Sequence, residues 1–251
     1  MARVQASNRQ QVGDMSHSLS FNGSQRIVLT TMGDLGSALM GAFSYGLWIR
    51  TSSKLTTVQY YLGTSNSAGG NYFLCGITRN SSNVGKINFQ IRDHSGHSLG
   101  VQIDGMKVND GEWHHIVGTK DNSNLVTGMK MYIDGLPKTL TTISNVQLTD
   151  CIDFNRAMAI GSGLGTGAIT TAWVGKLSRP YFYKRQLTDA EVLAWYLDRK
   201  PPTGEFAGYE NTEGAGTAVA DTQGVHNGTL TADTQWVSAD TPYKSRPQRQ
   251  L

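Results

Sequence analysis

Apolar and polar residues alternate along short runs of this chain, and clusters of Gly, Ser, Asn and Asp separate the runs. In a strand, alternation puts successive side chains on opposite faces. The run FSYGLWIRT thus has Phe43, Tyr45, Leu47 and Ile49 on one face and Trp48 on the other. Similar runs recur from SLSFNGSQRIVL to WVGKLSRPYFYKR. The pattern predicts an all-β fold, a sandwich of two antiparallel sheets.

One hairpin and one helix carry their own local signals. In GMKMYIDGLPKTL, apolar residues alternate up to Asp134-Gly135, a pair typical of a type I′ turn. In LTDAEVLAWYLDRKPP, Thr188 is a good N-cap and Glu191 three residues later completes a capping box. The two prolines end this helix, which is the one short helix that the sequence predicts.

Composition and charge exclude several classes of partner. A net charge of +3 is too small to predict a nucleic-acid partner. No apolar run approaches the ~18 residues of a membrane-spanning helix, so no membrane insertion is expected. The polar start MARVQASNRQQVGDMSHS lacks the apolar stretch of a secretory signal, which predicts synthesis in the cytoplasm without a signal peptide. Cys75 and Cys151 fit no metal or redox spacing, and we expect both to be reduced.

The chain divides into three parts by composition. We predict a flexible arm over residues 1–17, a sandwich over residues 18–200 and an extension over residues 201–251. The extension is rich in Gly, Thr and Ala and has too few large apolar residues to bury a core alone. It is therefore expected to pack on the sandwich or on a neighbouring subunit.

The stretch DGEWHHIVGTK contains two adjacent histidines that suggest a metal site or an acid/base pair. On a strand, Trp113, His115 and Val117 share one face, and His114 and Ile116 share the other. Adjacent histidines on opposite faces cannot act on one metal or one substrate. We therefore predict that one histidine is packed and hydrogen-bonded in the sandwich and that the other lies at the surface.

The sequence shows no catalytic constellation, so we predict that the protein is not an enzyme. Retaining glycosidases need two carboxyl groups about 5–5.5 Å apart, which strands supply at close spacing. No Glu of this chain lies on a strand beside a second acid at that spacing. The five are Glu112, Glu191, Glu205, Glu210 and Glu213. GSGLGTG at Gly161–Gly167 precedes a strand-like run and not a helix, which favours a turn over a phosphate loop.

Two other segments have oxygen ligands of the kind that calcium prefers. They are RDHSGHS at Arg92–Ser98 and DCIDFN at Asp150–Asn155. Calcium sites are assembled from distant loops, so the sequence leaves the metal unknown and favours solvated turns. We predict no cofactor, with calcium as the open alternative.

Carbohydrate binding has one candidate site. The segment QYYLGTSNSAGGNYFL places tyrosines around a Gly/Ser/Asn turn, where rings for stacking and an amide for hydrogen bonding would come together. The candidates are Tyr60, Tyr61, Asn71 and Tyr72. Alternating core and surface positions on a hairpin explain the same pattern equally well.

Together these runs resemble the laminin-G/pentraxin-like branch of the concanavalin A-like lectin/glucanase superfamily. The resemblance covers Ser18 to Asp198 and is carried by DGEWHHIVGTKD, MKMYIDGLP and WVGKLSRPYFYKRQLTDAEVLAWY, in that order. It implies a jelly-roll sandwich in which DGEWHHI is a core strand. The Glu/Asp strand motif of the glucanases is absent, so the resemblance does not imply hydrolysis.

The C-terminal segment resembles the stretch that usually opens such a domain, as in a circular permutation. It would return to its own sheet or pair with a neighbouring copy. We predict a non-enzymatic structural or interaction protein with protein subunits as partners in a homo-oligomer. Its place would be the surface of a bacteriophage virion, as a capsid decoration or tail protein, with glycans as further partners. A soluble carbohydrate-binding lectin is the alternative.

Overall fold

The computed structural model describes residues 17–29, 32–53, 57–65, 70–78, 85–106, 108–150, 157–163, 171–231, 235–238 and 242. All of the predicted arm except residue 17 lies outside these ranges, and so do Cys151 and the segment 164–170. Within the described ranges, no helix is long and apolar enough to cross a membrane.

Seventeen strands and three helical segments make up the described fold. In chain order they are β1 (Ser18–Asn22), β2 (Ile27–Leu29), α1 (Gly33–Met40), β3 (Phe43–Arg50), β4 (Gln59–Ser65), β5 (Tyr72–Thr78), β6 (Lys86–Arg92), β7 (Ser98–Ile103), β8 (Trp113–Lys120), a 3-10 turn η1 (Val126–Gly128), β9 (Met129–Ile133), β10 (Leu136–Pro137), β11 (Thr141–Asn145), β12 (Met158–Ile160), β13 (Val174–Tyr183), α2 (Asp189–Asp198), β14 (Ala207–Gly208), β15 (Ala218–Val219), β16 (Gly228–Leu230) and β17 (Gln235–Val237).

The strands form two sheets that pack face to face. Sheet A has eight strands in the order β10-β9-β8-β3-β13-β1-β17, with β14 added at β13. Sheet B has nine strands in the order β11-β7-β6-β5-β4-β12-β2-β16-β15. All pairings between these strands are antiparallel. The predicted antiparallel jelly-roll sandwich is therefore confirmed.

Both local predictions are confirmed as well. Asp134 and Gly135 have φ angles of 54° and 79°, and a type I′ turn needs positive φ at both positions. Thr188 Oγ1 accepts a hydrogen bond from the backbone N–H of Glu191, whose side chain accepts from the backbone N–H of Thr188, so a capping box begins α2. The structure also contains α1, a short helix that the sequence pattern did not single out.

The main core lies between the two sheets. Phe43, Tyr45, Leu47 and Ile49 of β3 are all fully buried in it, as their alternation predicts. Trp48 projects from the opposite side of sheet A, where it stacks on His115. The inner face of β3 therefore belongs to the sandwich and its outer face belongs to a second apolar layer.

That second layer lies between sheet A and α2. It consists of Val117, Tyr132, Tyr181, Tyr183, Leu187, Val192 and Trp195. The Trp195 ring lies so close to Gly46 of β3 that a Cβ on this glycine would be 2.5 Å from it. Helix α2 therefore covers this part of the outer face of sheet A, and a ligand surface is expected on the outer face of sheet B.

The C-terminal segment returns to the sandwich of its own chain. Strand β16 pairs with β2 in sheet B, and β17 pairs with β1 in sheet A. Tyr209, Val219 and Leu230 are buried in the main core. The segment after residue 200 thus completes both sheets and supplies part of their common core.

Candidate functional site

The two adjacent histidines occupy separate environments, and His115 is part of the packing. Its ring is fully buried, stacked on Trp48 with 4.8 Å between centroids and edge-on to Trp195 at 4.7 Å. Burial lowers the pKa of His115 to about 3, so the ring is neutral. Neither ring nitrogen has a hydrogen-bond partner in the described chain, so the prediction of a hydrogen-bonded packed histidine is wrong in that detail.

His114 lies on the other face of β8, between two carboxylates. Its Nδ1 is 2.9 Å from Asp134 Oδ2, and its Nε2 is 3.2 Å from Asp110 Oδ1. Burial lowers the pKa of His114, but hydrogen bonds and charges from Asp134 and Asp110 outweigh this effect and raise it overall. His114 therefore ties the β9–β10 turn to the loop before β8, and the two histidines share no ligand site.

The carboxylate of Asp93 joins the two segments that were candidates for calcium. Asp93 has no exposed surface, and its oxygens accept hydrogen bonds from the backbone N–H groups of His97 (2.8 Å), Thr149 (2.9 Å) and Asp150 (3.2 Å). His97 Nδ1 lies 3.2 Å from the same carboxylate. The sequence favoured a solvated turn here, and for Asp93 this prediction is wrong. Its buried carboxylate instead links the end of β6 to the segment after β11. Residues 151–156 of the second candidate lie outside the described residues.

Other acidic side chains are also engaged within the fold. Glu210 accepts hydrogen bonds from Arg179 and from the hydroxyl of Tyr181. Glu191 caps α2, and its Oε1 lies 2.8 Å from Nη2 of Arg185. In the part of the chain that the structure describes, no three His, Cys, Asp or Glu side chains converge to hold a metal ion.

Two of the four candidate sugar-binding residues are buried. Tyr61 has no exposed surface: its ring packs edge-on against Trp173, with 5.9 Å between centroids, and its hydroxyl is 3.4 Å from that of Tyr45. Asn71 is only 5% exposed. A ring inside the core cannot stack on a sugar, so the prediction is wrong for Tyr61, and burial removes Asn71 from the surface in the same way.

A β-bulge puts two successive residues of β4 in the core. Tyr60 pairs with Gly76 and Leu62 pairs with Cys75, so Tyr61 is an extra residue in β4. Both Tyr61 and Leu62 consequently face the core, where strict alternation would have turned one of them outward.

Tyr60 and Tyr72 lie on the outer face of sheet B, each half-buried. A Cβ at Gly76 would be 2.7 Å from the Tyr60 ring, and one at Gly163 would be 2.5 Å from it, so two glycines make room for this ring. Burial, with smaller contributions from Tyr72 and Cys75, raises the pKa of Tyr60 and keeps its hydroxyl protonated. Two half-exposed phenol rings thus lie on the face turned away from the core.

Polar side chains continue this surface across the neighbouring strands. Tyr72 is paired with Arg92 and Leu74 with Gln90, and Arg92 is paired in turn with Ser98 of β7. We call this half-buried set the Tyr72 surface: Tyr60, Tyr72, Leu74, Gln90, Arg92 and Ser98. Rings, amides and hydroxyls side by side are suited to bind a hydroxylated ligand.

Gln90 and Arg92 were not among the residues predicted from the sequence to bind a sugar. The signal was present in KINFQIRD, because alternation puts these two residues on the face opposite Ile87, Phe89 and Ile91. The structure confirms this division, since the three apolar residues are fully buried in the main core.

Comparisons with known proteins agree with the fold. A laminin G family model, described as concanavalin A-like lectin/glucanases superfamily, matches residues 21–193. A heptameric SAP-like pentraxin from Limulus polyphemus is 18% identical, with 74% of this chain and 83% of that chain covered and a TM-score of 0.54. Domains LG4-5 of the mouse laminin alpha1 chain are 16% identical. The match covers 74% of this chain and 46% of the laminin chain, with a TM-score of 0.48.

A Bacteroides ovatus protein for which carbohydrate binding has been suggested is 16% identical to this chain, with a TM-score of 0.62. The match covers 92% of this chain but only 62% of that one, so this chain spans less than two thirds of the Bacteroides protein. Among curated protein sequences, none matches. At these identities the pentraxin and the Bacteroides protein, whose TM-scores exceed 0.5, show a shared fold and no more.

Proposed function

The chain belongs to the concanavalin A-like lectin/glucanases superfamily, and on this basis we propose that it is a non-enzymatic carbohydrate-binding domain. The observation that carries the proposal is the Tyr72 surface, where half-exposed tyrosine rings lie beside amide and hydroxyl groups on the outer face of sheet B. Sugar rings present C–H faces to aromatic rings and hydroxyls to amides, so this surface offers both kinds of contact.

The roles of the acidic side chains support a binding function without hydrolysis. The carboxylate of Asp93 accepts backbone N–H groups, Glu191 caps a helix, and Glu210 accepts from Arg179 and Tyr181. A general acid needs a raised pKa, but interactions with Arg185 and Thr188 lower the pKa of Glu191 to about 2 against the opposing effect of burial.

The first test is a panel of neutral and acidic oligosaccharides screened against the full chain, with and without a calcium chelator. We expect Tyr72→Ala to weaken binding of the best ligand about tenfold or more, because a central aromatic contact is typically worth at least ~1.4 kcal/mol. Chelation should leave binding unchanged, because Asp93 already accepts N–H donors at both oxygens.

The matched control is Tyr196→Ala, which removes a half-buried tyrosine from α2 on the other side of the molecule. This variant should bind as the wild type does, and thermal unfolding of both variants checks that they are folded. The proposal fails if no glycan binds, or if the Tyr72 and Tyr196 variants bind equally well. Release of reducing sugar by the wild type would refute the non-enzymatic part.

The virion placement, with cytoplasmic synthesis and assembly into a homo-oligomer, stays a prediction from the sequence. Mass spectrometry of purified bacteriophage particles tests the placement, and light scattering of the full chain tests the assembly. A monomer at high concentration that is absent from every particle would contradict both.

A further inference from the structure

Arg92 is the last residue of β6, and its positive charge has no partner among the residues that the structure describes. In the described part of the chain, its guanidinium makes no hydrogen bond or ion pair, and its Nε is buried without an acceptor. Lys86, the first residue of the same strand on the same face, pairs with Asp104 at 2.9 Å. A buried N–H without an acceptor is destabilising. Arg92 as a whole is only half-buried, so an acceptor from outside the chain can approach the exposed part of its side chain.

The neighbouring carboxylate of Asp93 does not compensate the charge of Arg92. The adjacent Asp93 is buried, and its oxygens already accept N–H groups from His97, Thr149 and Asp150. Asp93 is therefore occupied by these donors and does not pair with the guanidinium next to it.

A glycine makes room for the guanidinium. A Cβ at Gly96 would lie 3.2 Å from Arg92 Nη2, and Gly96 has a φ of +88°, which other residues rarely adopt. The head group of Arg92 thus lies against the β6–β7 turn, at the end of the Tyr72 surface.

Hydroxyl groups flank this position on both sides. Tyr72 and Ser98 are the cross-strand partners of Arg92, and residues directly opposite each other have Cβ atoms about 5 Å apart. Gln90 follows on the same face, about 7 Å along the strand. A ligand held by Arg92 therefore has an aromatic ring, hydroxyls and an amide within reach.

We propose that Arg92 binds the carboxylate of an acidic sugar whose ring lies on Tyr72, which makes the Tyr72 surface selective for acidic glycans. The inference rests on the proposed carbohydrate-binding function and adds the class of ligand. A planar guanidinium matches a carboxylate through two parallel N–H···O bonds, a geometry that a lysine ammonium does not offer. Uronic acids and sialic acids both supply such a group.

Affinity measurements on the full chain distinguish the two sources of carboxylate. Trigalacturonic acid is compared with its methyl ester, and sialyllactose with lactose, by titration calorimetry. We expect the wild type to bind at least one acidic probe at least tenfold more tightly than its neutral counterpart. Arg92→Gln should bring this ratio close to one.

Lys86→Gln is the control, because it removes the same charge from the same strand and face. It should keep the acidic preference, and unfolding curves confirm that each variant is folded. If the wild type binds neutral and acidic probes alike, or if Arg92→Gln keeps the preference, the inference is wrong and the proposed function stands. If Lys86→Gln loses the preference equally, general surface charge is the cause and the inference is wrong. If no probe or panel glycan binds, the proposed function itself fails.

Discussion

Replacement of Leu230 by alanine tests whether the C-terminal segment shares the core of its own chain. Leu230 lies in β16, is 3% exposed and belongs to the main core. Removal of its three buried carbon atoms beyond Cβ costs about 2.4 kcal/mol of transfer free energy, at ~0.8 kcal/mol for each. The cavity left behind adds to this, so the free energy of unfolding should fall by about 3 kcal/mol, inside the usual range of roughly 2–5 kcal/mol.

Equilibrium urea unfolding followed by tryptophan fluorescence measures the change, and the melting temperature should fall by roughly 6–12 °C. Thr229→Ala, at the adjacent exposed position of β16, is the control and should stay within about 0.5 kcal/mol of the wild type. Because β16 pairs with β2 of the same chain, the difference in midpoint between the two variants should not depend on protein concentration. Equal midpoints for the two variants would refute packing of this segment in its own core.

Two further predictions concern pH. Burial lowers the pKa of His114, but Asp134 and Asp110 raise it overall, so the folded-state pKa exceeds the unfolded value of about 6.5. Below about pH 6.5 the wild type should therefore be more stable than His114→Gln, and this advantage should disappear as the pH rises through the folded-state pKa. Urea unfolding midpoints of the two proteins are compared between about pH 5 and 9. A difference between them that is the same at every pH contradicts the prediction. Burial alone would raise the pKa of Asp93, but N–H donors led by that of Thr149 lower it overall. Asp93→Asn should lower the free energy of unfolding by about 2 kcal/mol at pH 7, and this loss should shrink as the pH falls below about 4 through the folded-state pKa. An equal loss at pH 3 and pH 7 contradicts the prediction.

Features that depend on neighbouring residues in the sequence could be predicted. The alternation around Phe43 and Ile49 gives the buried face of β3, and the capping box at Thr188 gives the start of α2. Asp134 and Gly135 give the hairpin turn, since few other pairs adopt positive φ at both positions. In each case the physical cause acts over a few residues, so the sequence contains it.

Features that depend on distant segments could not be predicted. The bulge that puts both Tyr61 and Leu62 in the core arises from the pairing of β4 with β5 and leaves no mark on the alternation. The link through Asp93 needs Thr149, 56 residues away. Alternation places Arg92 on an outer face, but only the packed structure shows that its buried Nε has no acceptor among the described residues.

The pairing of the last strands with the first has a consequence for synthesis. Ser18 of β1 pairs with Val237 of β17, and Ile27 of β2 pairs with Leu230 of β16. A ribosome adds about 5–20 residues per second, so about two hundred residues take roughly 10–40 seconds. During that interval the nascent chain has edges of β1 and β2 with no strand beside them, and such edges pair readily with other chains. Folding of this domain is therefore expected to finish only after its C-terminal strands leave the ribosome, and to depend on protection of those edges until then.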